Sequence, residues 1–187
     1  MKDKLTNIRE LYRLAGIVVF SLSIAACSAF SKPEPSPPCP PVSTLGDAAK
    51  VTRFIAGPGR DLIDIDFTGV ISHLSGKCFY EYDSDTGQGL LRVNIRTEFL
   101  IERGAANKNG SASFDYFVSI VDDRGKVLDK QTFPYTGKYW KNRQSLKDID
   151  APIELSIPLT GDQVGQDFNI YVGFQLSREE LEFNRNR

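Results

Sequence analysis

The chain has 187 residues, 23 basic against 24 acidic side chains, 41% hydrophobic and 11% aromatic residues. That is the composition of a globular chain with one core, and it excludes a coiled coil, a collagen and disorder throughout. Removing residues 1–26 would take away four basic and two acidic side chains and leave a net charge of −3, which argues against a nucleic-acid-binding domain.

Residues 1–13 are polar with net charge +2, and Leu14 to Ala26 form an apolar run that ends at Cys27. A polar basic start, a short apolar stretch and small residues at its end are the layout of a secretory signal. Thirteen residues make about 20 Å of helix at ~1.5 Å per residue, short of the ~30 Å hydrocarbon core of a bilayer. An ordinary secretory signal with simple cleavage would release a soluble protein.

Ile24-Ala25-Ala26-Cys27 directly after the apolar run resembles the lipobox of bacterial lipoproteins. The resemblance covers residues 1–28 and implies a diacylglycerol thioether on Cys27, removal of residues 1–26 and acylation of the new amino terminus. Ile24 stands where such motifs more often carry Leu. Ser28 follows the cysteine where an aspartate would favour inner-membrane retention, so the resemblance implies anchoring at the outer membrane, on its periplasmic face. Two or three acyl chains at ~0.8 kcal/mol per buried CH₂ hold a domain on a bilayer without a spanning helix.

Cys39 and Cys78 then remain as a pair in a compartment that permits disulfides, and a Cys39–Cys78 bridge is expected. Neither thiol has a Cys-x-x-Cys motif or a neighbouring histidine that would suggest redox chemistry. Between Ser28 and Pro41 lie six of the ten prolines. Such a stretch favours polyproline II, and the eleven residues Ser28 to Pro38 would span roughly 34 Å as a spacer. The organisation expected is a cleaved signal (1–26), a lipidated tether (27–41) and one domain (42–187).

From about Val51 the hydrophobic period is 2. Arg60 to Leu74 reads as a strand with Ile63, Ile65, Phe67 and Ile71 on one face, Asp64, Asp66, Thr68 and Ser72 on the other, and a bulge or bend at Gly69. Lys77 to Tyr82 reads as a second strand, with residues 83–89 as its turn. Leu90 to Glu102 alternates Leu91, Val93, Ile95, Phe99 and Ile101 against Arg92, Asn94, Arg96, Glu98 and Glu102. Phe114, Tyr116, Val118 and Ile120 form the next strand, and Asp122-Asp123-Arg124-Gly125 turns it into a partner at about 126–134. Ile153, Leu155, Ile157 and Leu159 alternate again, as do Phe168, Ile170, Val172, Phe174 and Leu176. Six or seven strands with turn-rich connections predict an all-β, antiparallel sandwich of immunoglobulin or fibronectin III type, with a barrel or another sandwich topology as the alternative. Ser177-Arg178-Glu179-Glu180 fits a capping box for a short C-terminal helix. The Val172 to Arg185 ending and the Gly57-Pro58-Gly59-Arg60-Asp61 turn resemble uncharacterised small lipoproteins of proteobacteria, a resemblance that implies no activity.

Residues that could carry chemistry are few. His73, the single histidine, lies near Ser72 and Ser75 without a nucleophile elbow. One histidine and two paired thiols exclude a conventional zinc site. Asp83-Ser84-Asp85-Thr86-Gly87 begins like a calcium loop but has Gly87 and Asn94 where ligands belong. Asp64 and Asp66, some 7 Å apart along a strand at the ~3.4 Å rise, have a spacing that a glycosidase pair can show. Gly57 to Arg60 has no helix behind it to cradle a phosphate. Each has a simpler reading as a turn or a solvated face, and neither catalysis nor a cofactor is expected.

Tyr135 to Ala151 shows no strand period and places Tyr135, Tyr139 and Trp140 among Lys138, Lys141, Arg143 and Lys147. A long loop carrying exposed aromatic and cationic groups suits a partner or a glycan. The expectation is therefore a non-enzymatic envelope lipoprotein that binds an envelope protein, with peptidoglycan or glycan recognition by the 135–147 loop as the alternative. The competing structural reading has Trp140 packed over the end of the sandwich.

Overall fold

The computed structural model describes residues 36–83, 85–86 and 88–186. The signal segment, Cys27 and the tether up to residue 35 lie outside the described residues. The described residues form nine strands and one α-helix in order: β1 (Val42–Thr44), β2 (Lys50–Phe54), β3 (Ile65–Tyr82), β4 (Gly89–Arg103), β5 (Ser111–Asp122), β6 (Val127–Lys138), β7 (Ser145–Ile149), β8 (Ile153–Leu159), β9 (Phe168–Phe174) and α1 (Arg178–Arg185). Among the described residues no helix is long and apolar enough to cross a membrane.

The strands form two sheets, ordered β1-β9-β5-β6 and β2-β3-β4-β7, with β8 also paired to β4. Alternation builds both: Leu91, Val93, Ile95, Phe99 and Ile101 of β4 face the inner faces of β5 and β9, and every one is buried. Phe99 sits at the centre, its ring centroid 5.1 Å from those of Phe114, Tyr116 and Tyr135 and 5.7 Å from Phe174. Contacts across the layers at this spacing are how a two-sheet core is filled. The sandwich and the short C-terminal helix agree with the expectation. The chain takes a particular path through it: β2, β3 and β4 meander within one sheet before crossing, whereas an immunoglobulin domain crosses after its second strand. The three residues of β1 pair in parallel with β9, Val42 opposite Ile170; the other ladders are antiparallel.

Two expected strands, 60–74 and 77–82, are a single 18-residue strand, β3. Its register shift lies between Ile71 and His73 rather than at Gly69. One extra residue reverses which parity faces inward, so Ile65, Phe67 and Gly69 point to the core before the bulge and Leu74, Cys78 and Tyr80 after it. Ile63, expected on the buried face, is 75% exposed because Leu62–Asp64 wind into a 3-10 turn before the strand begins.

At one end of the sandwich Cys39 is joined to Cys78, as the cysteine count predicts, with Cα atoms 5.7 Å apart. Tyr80 reinforces the joint: its hydroxyl donates to the Pro38 carbonyl at 2.7 Å and accepts the Gly165 amide at 2.7 Å. Gly165 has to be glycine here, since a Cβ would lie 2.6 Å from the Pro38 oxygen.

The helix α1 begins at the predicted box. The Ser177 hydroxyl accepts the Glu180 amide at 3.2 Å, and the Glu180 carboxylate accepts the Ser177 amide at 2.8 Å. The helix is held against β2 and the preceding turn by an Arg53–Glu180 ion pair (2.9 Å), an Arg185–Asp47 pair (2.7 Å) and an edge-on Phe54–Phe183 contact.

Candidate functional site

The expected 17-residue loop is much shorter in the structure. β6 runs on to Lys138, and Tyr135, Gly137 and Tyr139 continue its inward alternation. Tyr135 is 5% exposed; its ring stacks on Phe114 with centroids 4.8 Å apart, and its hydroxyl donates to Asp148 at 2.8 Å. Tyr139 is 7% exposed, with the Arg103 guanidinium 5.9 Å from its ring and its amide donating to the Gly110 carbonyl. These two tyrosines are core residues, which corrects the expectation of an aromatic binding loop. They went unrecognised because Gly137 stands between them: a Cβ there would lie 2.3 Å from Leu146, so the inward position that would have shown the period is glycine.

What remains exposed is a tight turn. The Arg143 amide donates to the Trp140 carbonyl at 3.1 Å, and Lys141 takes φ +51°, a left-handed conformation unusual for a side chain other than glycine, asparagine or aspartate. Trp140 is 69% exposed with Lys141 Nζ 5.6 Å from its ring, and Lys138, Lys141 and Arg143 are exposed beside it. Lys147, by contrast, lies on β7 and pairs with Glu98 at 3.2 Å. Gln144 accepts the Arg103 amide at the far end of β4, so the turn sits at the end of the sandwich opposite the disulfide. The ten residues of β4 from Val93, opposite Cys78, to Glu102 separate the two ends by about 30 Å.

Behind that turn is a buried polar network. Asn107, 5% exposed, donates through Nδ2 to Asp66 and to the Ser111 carbonyl, both at 2.8 Å, and accepts the Gly110 amide on Oδ1. The Tyr116 hydroxyl donates to Asp150. Burial, aided by these carboxylates, raises the Tyr116 and Tyr135 hydroxyls well above the ordinary tyrosine range. Burial, with Asp66 nearby, pushes Tyr139 up to about 12.

The other candidate groups are engaged in local structure. Asp64 accepts the Asp61 amide at 3.1 Å and Asp66 accepts from Asn107, so they do not form a carboxylate pair on one strand face. Ser72 donates to Glu98 at 2.7 Å, and that bond, with Lys147 beside it, holds the Glu98 carboxyl below its usual range. His73 is an exposed residue within β3, not at its end. Asp83 accepts the Asp85 and Thr86 amides, at 2.9 and 2.8 Å, a turn closed on itself. Among the described residues no three His, Cys, Asp or Glu side chains converge in a manner that could hold a metal. The Gly57–Arg60 turn folds back so that Arg60 donates to the Gly57 and Gly59 carbonyls and to Glu179, forming one wall of an open groove of about 560 Å³ against α1.

One surface feature escaped the sequence reading. Phe79 is 62% exposed on the outer face of the larger sheet. The signal was present in the odd positions of β3 after the bulge, His73, Ser75, Lys77 and Glu81, among which Phe79 is the single apolar residue.

No family model matches the chain, and no curated protein matches it. A solved structure, the variable (V) domain of the Streptococcus agalactiae AgI/II polypeptide BspA, is similar over 72% of this chain and 77% of that one, at 13% identity and a TM-score of 0.19. A likeness of that size carries no argument about fold or activity.

Proposed function

We propose that the chain is a lipid-anchored lipoprotein of the bacterial envelope, held at the outer membrane through Cys27 and acting as a non-enzymatic module for protein interaction or envelope assembly. The observation that supports it is the fastening at Cys39. A disulfide belongs to a compartment outside the reducing cytoplasm, and this one ties the chain twelve residues after Cys27 to a central strand. The test is labelling of growing cells with a radioactive fatty acid. The wild-type chain incorporates label and sediments with outer membranes, whereas Cys27→Ala accumulates as an unlabelled precursor. An unlabelled protein of mature mass overturns the anchor. In-cell crosslinking followed by membrane extraction then tests the module, and one stoichiometric protein partner is the expected result.

The exposure of Trp140 favours a second reading, glycan or peptidoglycan recognition, now confined to Lys138, Trp140, Lys141 and Arg143. Trp140→Ala then reduces sedimentation with isolated cell-wall material, and unchanged sedimentation rejects this reading.

A further inference from the structure

The outer face of the larger sheet carries a group of side chains whose placement follows from the bulge in β3. With the parity reversed at Ser72, Lys77 and Phe79 point outward, and the ladder sets Phe79 opposite Arg92 and Lys77 opposite Asn94. On the other side of β4, Arg92 is opposite Ser156 and Asn94 opposite Glu154. Directly paired side chains on one face stand about 5 Å apart. Phe79, Arg92, Asn94, Glu154 and Ser156 thus border one shallow depression of about 100 Å³ spanning three strands.

The polar groups around this depression keep unused hydrogen-bonding capacity beyond the Arg92–Glu81 ion pair. Arg92 Nε donates to Glu81 at 2.7 Å, and its Nη donors have no partner among the described residues. The Asn94 amide, the Glu154 carboxylate and the Ser156 hydroxyl likewise have no hydrogen-bond partner among the described residues. At the other end of the molecule the comparable groups, Asn107, Tyr116 and Tyr135, are all bonded within the protein.

The mixture of groups selects a ligand class. Arg92 only donates, Glu154 only accepts, and Asn94 and Ser156 do both. A phosphate or carboxylate would meet Glu154, and a cation would meet Arg92 and Lys77. Neighbouring hydroxyls on a pyranose ring both donate and accept, and the ring presents an apolar C–H face suited to an exposed phenyl. We propose that this face is a binding platform for a neutral saccharide, one ring lying on Phe79 with its hydroxyls bonded to Arg92, Asn94, Glu154 and Ser156. The platform is independent of the Trp140 turn, which lies at the opposite end of β4.

The experiment titrates the full chain, in detergent micelles, with three neutral tetrasaccharides, the β-1,4-linked N-acetylglucosamine and glucose oligomers and the α-1,4-linked glucose oligomer. Each is taken to about 10 mM, a range that detects millimolar affinity, and binding is followed by amide NMR shifts. At least one sugar is expected to shift residues 77–81, 92–94 and 154–156. Phe79→Ala and Glu154→Gln each weaken that binding by about tenfold or more, while Phe79→Tyr, which keeps a ring, and Trp140→Ala leave it within about twofold. Preserved amide dispersion elsewhere verifies that the variants fold, and Glu154→Gln decides the matter if Phe79→Ala does not. The proposal is overturned if none of the three sugars shifts these amides, if the shifts map to the Trp140 turn, or if only a sulfated anionic tetrasaccharide produces them.

Discussion

The two ends of the sandwich are secured by different means. At the Cys39 end a covalent bond and one tyrosine hydroxyl fasten an extended segment whose own pairing amounts to the three residues of β1. At the Trp140 end no covalent link occurs among the described residues, and the connections from β4 to β5 and from β6 to β7 are held by buried side chains: Asn107 under one, Tyr135 and Tyr139 under the other. A segment with little apolar surface cannot secure itself by burial, so a crosslink supplies what packing does not. Loops that carry buried aromatic groups need no crosslink, and they leave a single tryptophan outside.

The contrast is broken most strongly at the disulfide. Cys39→Ser combined with Cys78→Ser is expected to lower stability by about 3 kcal/mol, read as a lower midpoint in urea, with the parent protein in reductant showing the same loss. A loss below about 0.5 kcal/mol would mean that Tyr80 and β1 hold the segment unaided. At the other end Asn107→Ala strips partners from the Gly110 amide and the Ser111 carbonyl and is expected to cost about 2 kcal/mol, with hydrogen exchange quickening in residues 104–111. Alkali separates the ends next. Tyr116, Tyr135 and Tyr139 are raised in the folded state, so their contribution is complete below the unfolded tyrosine value near 10 and declines as pH rises through the folded value, about 12 for Tyr139. Urea midpoints therefore fall from pH ~10 upward, and Tyr139→Phe removes part of that fall. Trp140→Ala is the smallest change, within about 0.5 kcal/mol, because the ring is exposed.

Legibility in the sequence follows the same division. β4 and β8 could be read residue by residue because each buries one face and turns the other to solvent, β9 because its large apolar residues alternate, and the capping box at Ser177 is a local pattern needing no distant partner. The disulfide was legible on the expectation that Cys27 carries lipid, which leaves Cys39 and Cys78 as the pair. The bulge at Ser72 was not, because it is defined by the partner strand, and Gly69 looked like the better candidate while serving instead as a close-packed inward position facing Val51 and Phe174. That misplacement hid the continuity of β3 and the outward direction of Phe79. The Trp140 region misled for a related reason: Asp148 bonds the Tyr135 hydroxyl and Leu146 packs over Gly137, and both lie across a turn that only the fold brings back.

The Cys39–Cys78 bond also determines how the molecule meets a mechanical pull. Tension arriving from the amino-terminal side reaches Cys39 and enters β3 at Cys78, four residues before that strand ends at Tyr82 and inside its ladder with β4. The 38 residues of chain between the two cysteines, about 130 Å when drawn out, are taken out of the path of the force. β1, β2 and β3 up to Lys77 therefore lie outside the covalent line of load, which runs from Cys78 on towards β4.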